Sequence, residues 1–498
     1  MSASASTAAS RHSNPGRSQK LSRTVIHRAL TGAAVGRRPR TVTLGRSRIG
    51  RPLGHDVPAG RGGPGRAGYR GASSRRGNGV TSPSTADPVA SPGRVPAWLR
   101  SPRRVLPVTV PLLALVLAGL VVHTGGRHID LEVYRFGVQA WLSGGDMYGP
   151  LPETSGHIAL PFIYPPFAAL LMTPLALVPW TVAWVALLVL SVLALGTTLY
   201  VVARRLWPSG GPGGALAAAS IALPLALAVT PGSPIDFDTP TDSVPLALDP
   251  VLQTIEFGQI NLLLMALVAL DCLVDHPRWP RGALIGIAAA IKLTPAAFVL
   301  FFLLRRDVRA AVVAVVSGIV ATGIGFAVAP RESLAFWLGN PTGGVSGSPF
   351  FTNQTLEAVL VRAGVDGTAR TVTWVLLSAA LLAIAVPVVR RAPAPLALVA
   401  VAGVALLASP TSWSHHWVWV APALLVAAAS AWRARSVGWT VVTLLAGTVF
   451  VVAPHRLGLP RAGEVELGWS VWQQVVGSTY VWFTVLLMIA LFLRWRRA

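Results

Sequence analysis

The sequence is short of charge, and shortest of acid. Of its 498 residues 12% are charged, and 19 Asp and Glu face 42 Lys and Arg. Cysteine occurs once, at Cys272 inside an apolar run, so no internal disulfide can form and Cys272 reads as packing. No Gly-rich phosphate loop follows a strand-like run, no Cys/His spacing suits zinc, and no Ser-His-Asp elbow is present. Nor does any convincing internal repeat appear. The first apolar run starts after residue 100 and is long enough to stay in a membrane, so a cleavable signal peptide is not expected.

What the sequence has instead is length of apolar chain. It is 53% hydrophobic, and several near-uncharged runs approach the ~20 residues that cross a bilayer. Helices satisfy their own backbone in lipid, so the expectation is an all-α polytopic membrane protein. The net charge of +23 is concentrated in residues 1–104, where only Asp56 and Asp87 oppose many Arg. That segment is rich in Ser, Gly, Pro and Ala and lacks periodicity, so it reads as a disordered cytoplasmic tail. Without aromatic interleaving or a nucleic-acid motif, no nucleic-acid partner is expected. The membrane domain is then 105–498.

Basic residues flank the apolar runs and set their direction. Val105–Thr124 follows Arg103 and Arg104 and leads out of the cytoplasm. Pro166–Val178 is short and broken by Pro174, so it reads as interfacial, and Thr181–Ala203 returns to Arg204 and Arg205. Ala215–Val229 goes out to the loop Thr230–Phe257, which carries Asp236, Asp238, Asp242, Asp249 and Glu256 with no Lys or Arg. Ile260–Val274 comes back to Arg278 and Arg281. Gly282–Leu304 then starts and ends beside basic clusters, with Lys292 and Pro295 at its centre. A single crossing would put one cluster outside and Lys292 in lipid. A hairpin of two short helices, its apex toward the outside, removes both difficulties. Beyond it, Ala310–Ala329, Val372–Val389, Pro395–Leu407, Trp417–Ala431, Val437–Ala453 and Thr479–Leu493 alternate, with Pro330–Gly367 an outside loop. The total is about ten full spans plus a re-entrant hairpin, with both termini cytoplasmic.

This topology gathers the polar residues on the extracytoplasmic face. Asp130 opens a helical stretch in which Leu131, Tyr134, Val138 and Leu142 share a stripe. It suits a general base, and equally an N-cap for the helix Leu131–Trp141; Glu132 is the other acid. Lys292 at the apex suits a phosphate, with snorkelling as its rival. His415 and His416 are adjacent, so they do not share a helix face and are a poor metal pair. One suits a substrate hydrogen bond and the other a structural place. Tyr164-Pro165-Pro166 is a rigid corner. Gln259 and Asn261 begin a helix as caps or as substrate donors. No cytosolic nucleotide-sugar domain is present, so any glycosyl donor must ride on a lipid.

These residues resemble a known family. Asp130 with Val133-Tyr134 and Trp141, then Tyr148 and Tyr164-Pro165-Pro166, are similar to the first loop of glycosyltransferase family 87. So are Phe257-Gly258-Gln259-Ile260-Asn261, Ile291-Lys292-Leu293-Thr294-Pro295, and Ser409-Pro410 through His415-His416-Trp417. The resemblance covers Val105 to the C-terminus. It implies a GT-C fold with an extracytoplasmic active site and transfer of mannose from polyprenyl-phosphate mannose. The implied acceptor is a mannoside or glycolipid of the lipomannan, lipoarabinomannan or phosphatidylinositol mannoside type, with an α-1,2 linkage made by one inverting displacement. Asp130 is the implied base. Lys292, with Arg127 or a loop His, is implied to stabilise the leaving phosphate, and no metal or other cofactor is required in principle. Some relatives transfer arabinofuranose, which stays as an alternative. A lipid-linked saccharide flippase or transporter is the alternative from a different class, though transporters place substrate groups near the midplane, often between repeats. A non-enzymatic scaffold for envelope assembly is the third.

Overall fold

A computed structural model describes residues 100–125, 128–228, 246–339, 345–461 and 464–496. The tail 1–99, Arg127, Asp236, Asp238 and Asp242 lie outside the described residues. Apart from two isolated bridge pairs, Glu153 with Ala159 and Asn353 with Trp413, the described chain holds helices and turns.

The helices are α1 (Pro102–Thr124), α2 (Ile129–Leu142), α3 (Pro166–Leu177), α4 (Trp180–Leu206), α5 (Gly211–Ala226) and α6 (Asp249–Glu256). Next come α7 (Asn261–Leu273), α8 (Ala283–Ile291), α9 (Val299–Leu304), α10 (Val308–Val328), α11 (Pro330–Gly339) and α12 (Leu356–Arg362). The chain ends with α13 (Gly367–Arg391), α14 (Ala394–Ala408), α15 (Val420–Ala434), α16 (Val437–Val452), α17 (Val471–Gly477) and α18 (Thr479–Trp495).

Among the described residues six helical runs are long and apolar enough to cross a membrane: α1, α4, α10, α13, Ser414–Ala434 and Val437–Arg456. A seventh is reached if α17 and α18, bent by 73°, count as one. Leu115, Ile319, Leu376 and Leu444, on four of these helices, are each more than half exposed. Such faces have no place in water and suit lipid. α3, α7 and α14 are apolar but shorter, and the 12 residues of α3 reach only about 18 Å.

The basic helix ends lie together. Arg305 Nη1 donates to the carbonyls of Val389 and Ala392 at the end of α13, both at 3.0 Å. Arg391 Nη1 donates to those of Trp495 and Arg496 at the end of α18. Arg205, at the end of α4, pairs with Asp275 just past α7. Arg side chains at helix C-termini satisfy carbonyls that have no intrahelical partner. The start of α8 joins the same end, because Asp271 of α7 accepts the N–H groups of Gly282 and Ile285. Gly282–Leu304 therefore enters and leaves at one end of the bundle, as a hairpin must. Its break falls at Lys292, which is extended (φ −147°, ψ 130°), two residues before the position that Pro295 restricts.

Two segments differ from the sequence expectation. Pro330–Gly367 is no open loop: Thr352, Asn353, Gln354 and Thr355 are buried. The buried Arg362 guanidinium donates to the carbonyls of Pro349, Phe350 and Asn353 and to Ser478 Oγ, so these backbone groups are satisfied within the protein. The acidic stretch before Phe257 likewise ends in a buried helix, α6. The inward stripe of α2 holds at Leu131, Tyr134 and Val138, while Leu142 is exposed.

α8 and α10 pack almost backbone to backbone. A Cβ on Gly286 would stand 2.2 Å from Ser317 Oγ and 2.3 Å from the Ala314 carbonyl oxygen. On Gly323 of α10 it would meet nothing within 4 Å. Gly286→Ala is expected to cost roughly 1–3 kcal/mol of stability as overpacking, and Gly323→Ala none. Thermal unfolding of both purified variants in one detergent checks this; equal melting temperatures would contradict the close packing.

Candidate active site

Asp130 is not a cap. The cap position of α2 is His128, and Asp130 is the second helical residue. The first N–H groups of α2 instead meet the end of α6: Asp130 N–H donates to the Phe257 carbonyl at 2.9 Å and Leu131 N–H at 3.4 Å. His128 Nδ1 donates to the Glu256 carbonyl at 2.9 Å. The Asp130 carboxylate is thus released from capping while keeping the favourable field of a helix N-terminus.

The carboxylate, half-buried, faces Gln259, whose amide hydrogen-bonds to it. Gln259 Oε1 in turn accepts the hydroxyls of Tyr134 at 2.9 Å and Tyr164 at 3.2 Å. The two tyrosines meet edge to face with their hydroxyls 2.9 Å apart. Burial pushes the Asp130 carboxyl up to about 6, against the pull of Gln259 and of the Lys292 charge. Burial also raises both phenols, so they remain protonated donors. A carboxylate that titrates near neutrality and is aimed at a cavity is the profile of a general base. Glu132 is occupied elsewhere, accepting the Ser155 N–H at 2.6 Å.

Lys292 arrives from the α8–α9 break. Its Nζ donates to Asn261 Oδ1 and to His416 Nε2, both at 3.1 Å, and lies 5.5 Å from the Tyr164 ring centre. Because an ammonium only donates, His416 Nε2 must accept and the ring proton sits on Nδ1. Two of the three ammonium protons are engaged, and the group lines the cavity. His415 behaves differently from its neighbour. It is buried, packs edge-on against Phe257 with ring centres 5.2 Å apart, and its carbonyl accepts Thr254 Oγ1 and Asn261 Nδ2.

α6 supplies the common support. Its C-terminal carbonyls hold α2, its Thr254 holds His415, and Gln253 accepts the Ser414 hydroxyl at 3.1 Å. Asp249, at the other end of the same face, accepts Tyr480 Oη at 3.0 Å and lies 3.7 Å from Arg456 Nε. Glu256 pairs with His123 of α1 at 2.8 Å.

The Asp130 carboxylate, the Lys292 ammonium and the His pair border one cavity of about 1300 Å³. Asp130, Tyr164, Gln259, Lys292, His415 and His416, all singled out in the sequence, line it, and Asn261 stands just behind Lys292. Arg127 falls outside the described residues. Apolar residues from α13 and α14, among them Leu382 and Val404, also line it. Sequence reasoning missed Tyr134, Gln253 and Arg461 as wall residues. The spacing of Asp249, Gln253 and Glu256 puts them on one helix face and was a usable signal; for Arg461 the sequence holds none. Among the described residues no three His, Cys, Asp or Glu side chains gather as metal ligands.

Gln259→Leu removes the hydrogen bond that lowers the Asp130 carboxyl. The midpoint of its protonation, followed by infrared difference spectroscopy and assigned with Asp130→Asn, is expected to move above about 6. A midpoint that stays or falls would separate Gln259 from Asp130.

The family model described as Glycosyltransferase family 87 matches residues 162–410, a span that contains Tyr164, Gln259, Asn261 and Lys292 and stops short of the His pair. Two curated proteins described as polyprenol-phosphate-mannose-dependent alpha-(1-2)-phosphatidylinositol mannoside mannosyltransferases are similar over most of the chain. That of Mycolicibacterium smegmatis is 38% identical over 382 residues, 73% of this chain and 83% of its own. That of Mycobacterium tuberculosis is 37% identical over 402 residues, 78% of this chain and 90% of its own. A Mycobacterium tuberculosis protein described as the corresponding phosphatidylinositol pentamannoside mannosyltransferase is 29% identical over 418 residues, 80% of this chain and 88% of its own.

Proposed function

The chain belongs to glycosyltransferase family 87, and we propose on that footing that it is a membrane mannosyltransferase. It moves mannose from a polyprenol-phosphate mannose donor to a phosphatidylinositol mannoside-type acceptor in an α-1,2 linkage. The named relatives all use a mannose donor, which favours mannose over arabinose, and identity is higher to the phosphatidylinositol mannoside enzymes than to the pentamannoside enzyme. The observation that carries the chemistry is the pairing of Asp130, poised near neutrality, with Lys292 in one largely apolar cavity.

The reaction is a single displacement. An acceptor hydroxyl gives its proton to the Asp130 carboxylate as its oxygen attacks the anomeric carbon of the donor mannose. The bond from that carbon to the phosphate oxygen breaks on the opposite face, the configuration inverts, and the electron pair leaves on the lipid phosphate. Lys292, held by Asn261 and His416, stands where that charge grows. Tyr134, Tyr164 and Gln259 orient the carboxylate. His415 is a positioning residue, fixing the turn that carries His416. The apolar wall of α13 and α14 suits the polyprenyl chain.

The architecture in this reading is GT-C, with about ten spans. α5, α7, α14 and α18 join the six long runs, and α8–α9 forms the re-entrant hairpin. The basic helix ends face the cytoplasm and the cavity opens extracytoplasmically. Cysteines placed at Thr411 and Arg391 in a Cys272→Ala background are expected to react with an impermeant maleimide from outside and inside, respectively. The reverse pattern would invert the topology.

Asp130→Asn is expected to lower transfer in purified membranes by about 10²–10⁴-fold without loss of expression. In the wild-type protein the rate is expected to fall as pH drops through about 6, because protonation removes the base. Undiminished transfer by Asp130→Asn would remove Asp130 from the reaction.

A further inference from the structure

The cavity holds more cationic wall than one lipid phosphate needs. Among its described lining residues two carry basic side chains, Lys292 and Arg461. They come from unrelated parts of the chain. Lys292 sits at the hairpin break and is bound to Asn261 and His416 beside the base. Arg461 lies on the segment between α16 and α17, with its guanidinium carbon 5.4 Å from the centre of the Phe351 ring.

That platform is rigid. Phe351 is 1% exposed, and its N–H donates to the buried Glu466 carboxylate at 3.2 Å. The preceding residues are fixed by Arg362, which binds the carbonyls of Pro349 and Phe350. A guanidinium laid on a fixed aromatic face loses little freedom on meeting a ligand, and its planar fork matches a phosphodiester. Phe350 and Trp413, whose ring centres are 6.2 Å apart at 79°, line the cavity in the same region of the wall. Aromatic faces beside a cation are a surface for a polar headgroup rather than for an alkyl chain.

We propose that Arg461 is the specificity residue for the acceptor: it binds the phosphodiester of a phosphatidylinositol mannoside while Lys292 serves the donor phosphate. The inference rests on the mannosyltransferase reading above and deepens it. Both substrates are lipids with one phosphodiester each, and the wall offers one cation to each. It follows that the preferred acceptor is one whose phosphodiester reaches the same cavity as its reacting hydroxyl. A short phosphatidylinositol mannoside does so; a long mannan, whose growing end is far from its lipid, does not.

The test compares two acceptors with polyprenol-phosphate mannose as donor: phosphatidylinositol dimannoside, and an uncharged octyl dimannoside. For the wild-type protein the charged acceptor is expected to have the lower KM. Arg461→Gln is expected to raise that KM roughly tenfold or more, as loss of a charge-assisted contact does. It leaves the KM of the octyl dimannoside, the donor KM and kcat within about twofold, and Arg461→Lys recovers part of the loss. Lys292→Ala should show the converse, raising the donor KM. An equal loss on both acceptors would reduce Arg461 to a structural role and overturn the proposal. So would a rise in donor KM alone, or no change with the charged acceptor. If the wild-type protein transfers mannose to neither acceptor, the mannosyltransferase reading itself falls. If it transfers to both and only the Arg461 pattern fails, that reading stands without this one.

Discussion

The site depends on a helix of eight residues buried with its acids. α6 presents the carbonyls of Glu256 and Phe257 to the start of α2, and Gln253 and Thr254 to the turn that carries the His pair. Asp130 and His416 reach one cavity because both are referred to this one element. Burying two carboxylates is costly unless each finds partners. Asp249 finds Tyr480, Gln253 and Arg456, and Glu256 finds His123. The placing of Asp130 and of the His416–Lys292 pair is thereby underwritten by contacts from α1, from α18 and from the turn after α16.

The outline of the fold was legible because apolar run length and the placing of Arg are local signals. The hairpin is the clearest case. A Lys inside an apolar run, with basic residues at both ends, has few solutions in a bilayer, and the helix ends meet as that logic demands. Asp130 was legible as a residue and ambiguous as a role. Its capping rival fails because α2 starts two residues earlier than expected and takes its capping carbonyls from the end of α6. Nothing in the neighbourhood of Asp130 announces that.

The rest was hidden for one physical reason: charge near acid-rich sequence reads as solvent-facing. Asp249 and Glu256 are buried, but their partners stand far away in sequence, Tyr480 by 231 positions and His123 by 133. The polar stretch before α12 is sequestered in the same way around Arg362. In each case a long polar side chain completes backbone groups contributed from several places, a property of the assembled chain that no window of sequence contains. Arg461 belongs to this class too, since only the folded loop lays it on Phe351.

The hairpin also dictates an order of biogenesis. Since it enters and leaves at the same end, it does not alter the sidedness of any later helix. It is topologically silent, and the helices after it would insert in the same directions without it. Its Lys292, however, has no stable place until partners exist. Asn261 is synthesised 31 residues earlier and is present from the start, whereas His416 emerges 124 residues later. During synthesis the nascent hairpin must therefore stay sheltered, half-satisfied, against α7 and α10. It locks only when the turn after α14 arrives, so Lys292 is completed by a segment made well after the hairpin itself.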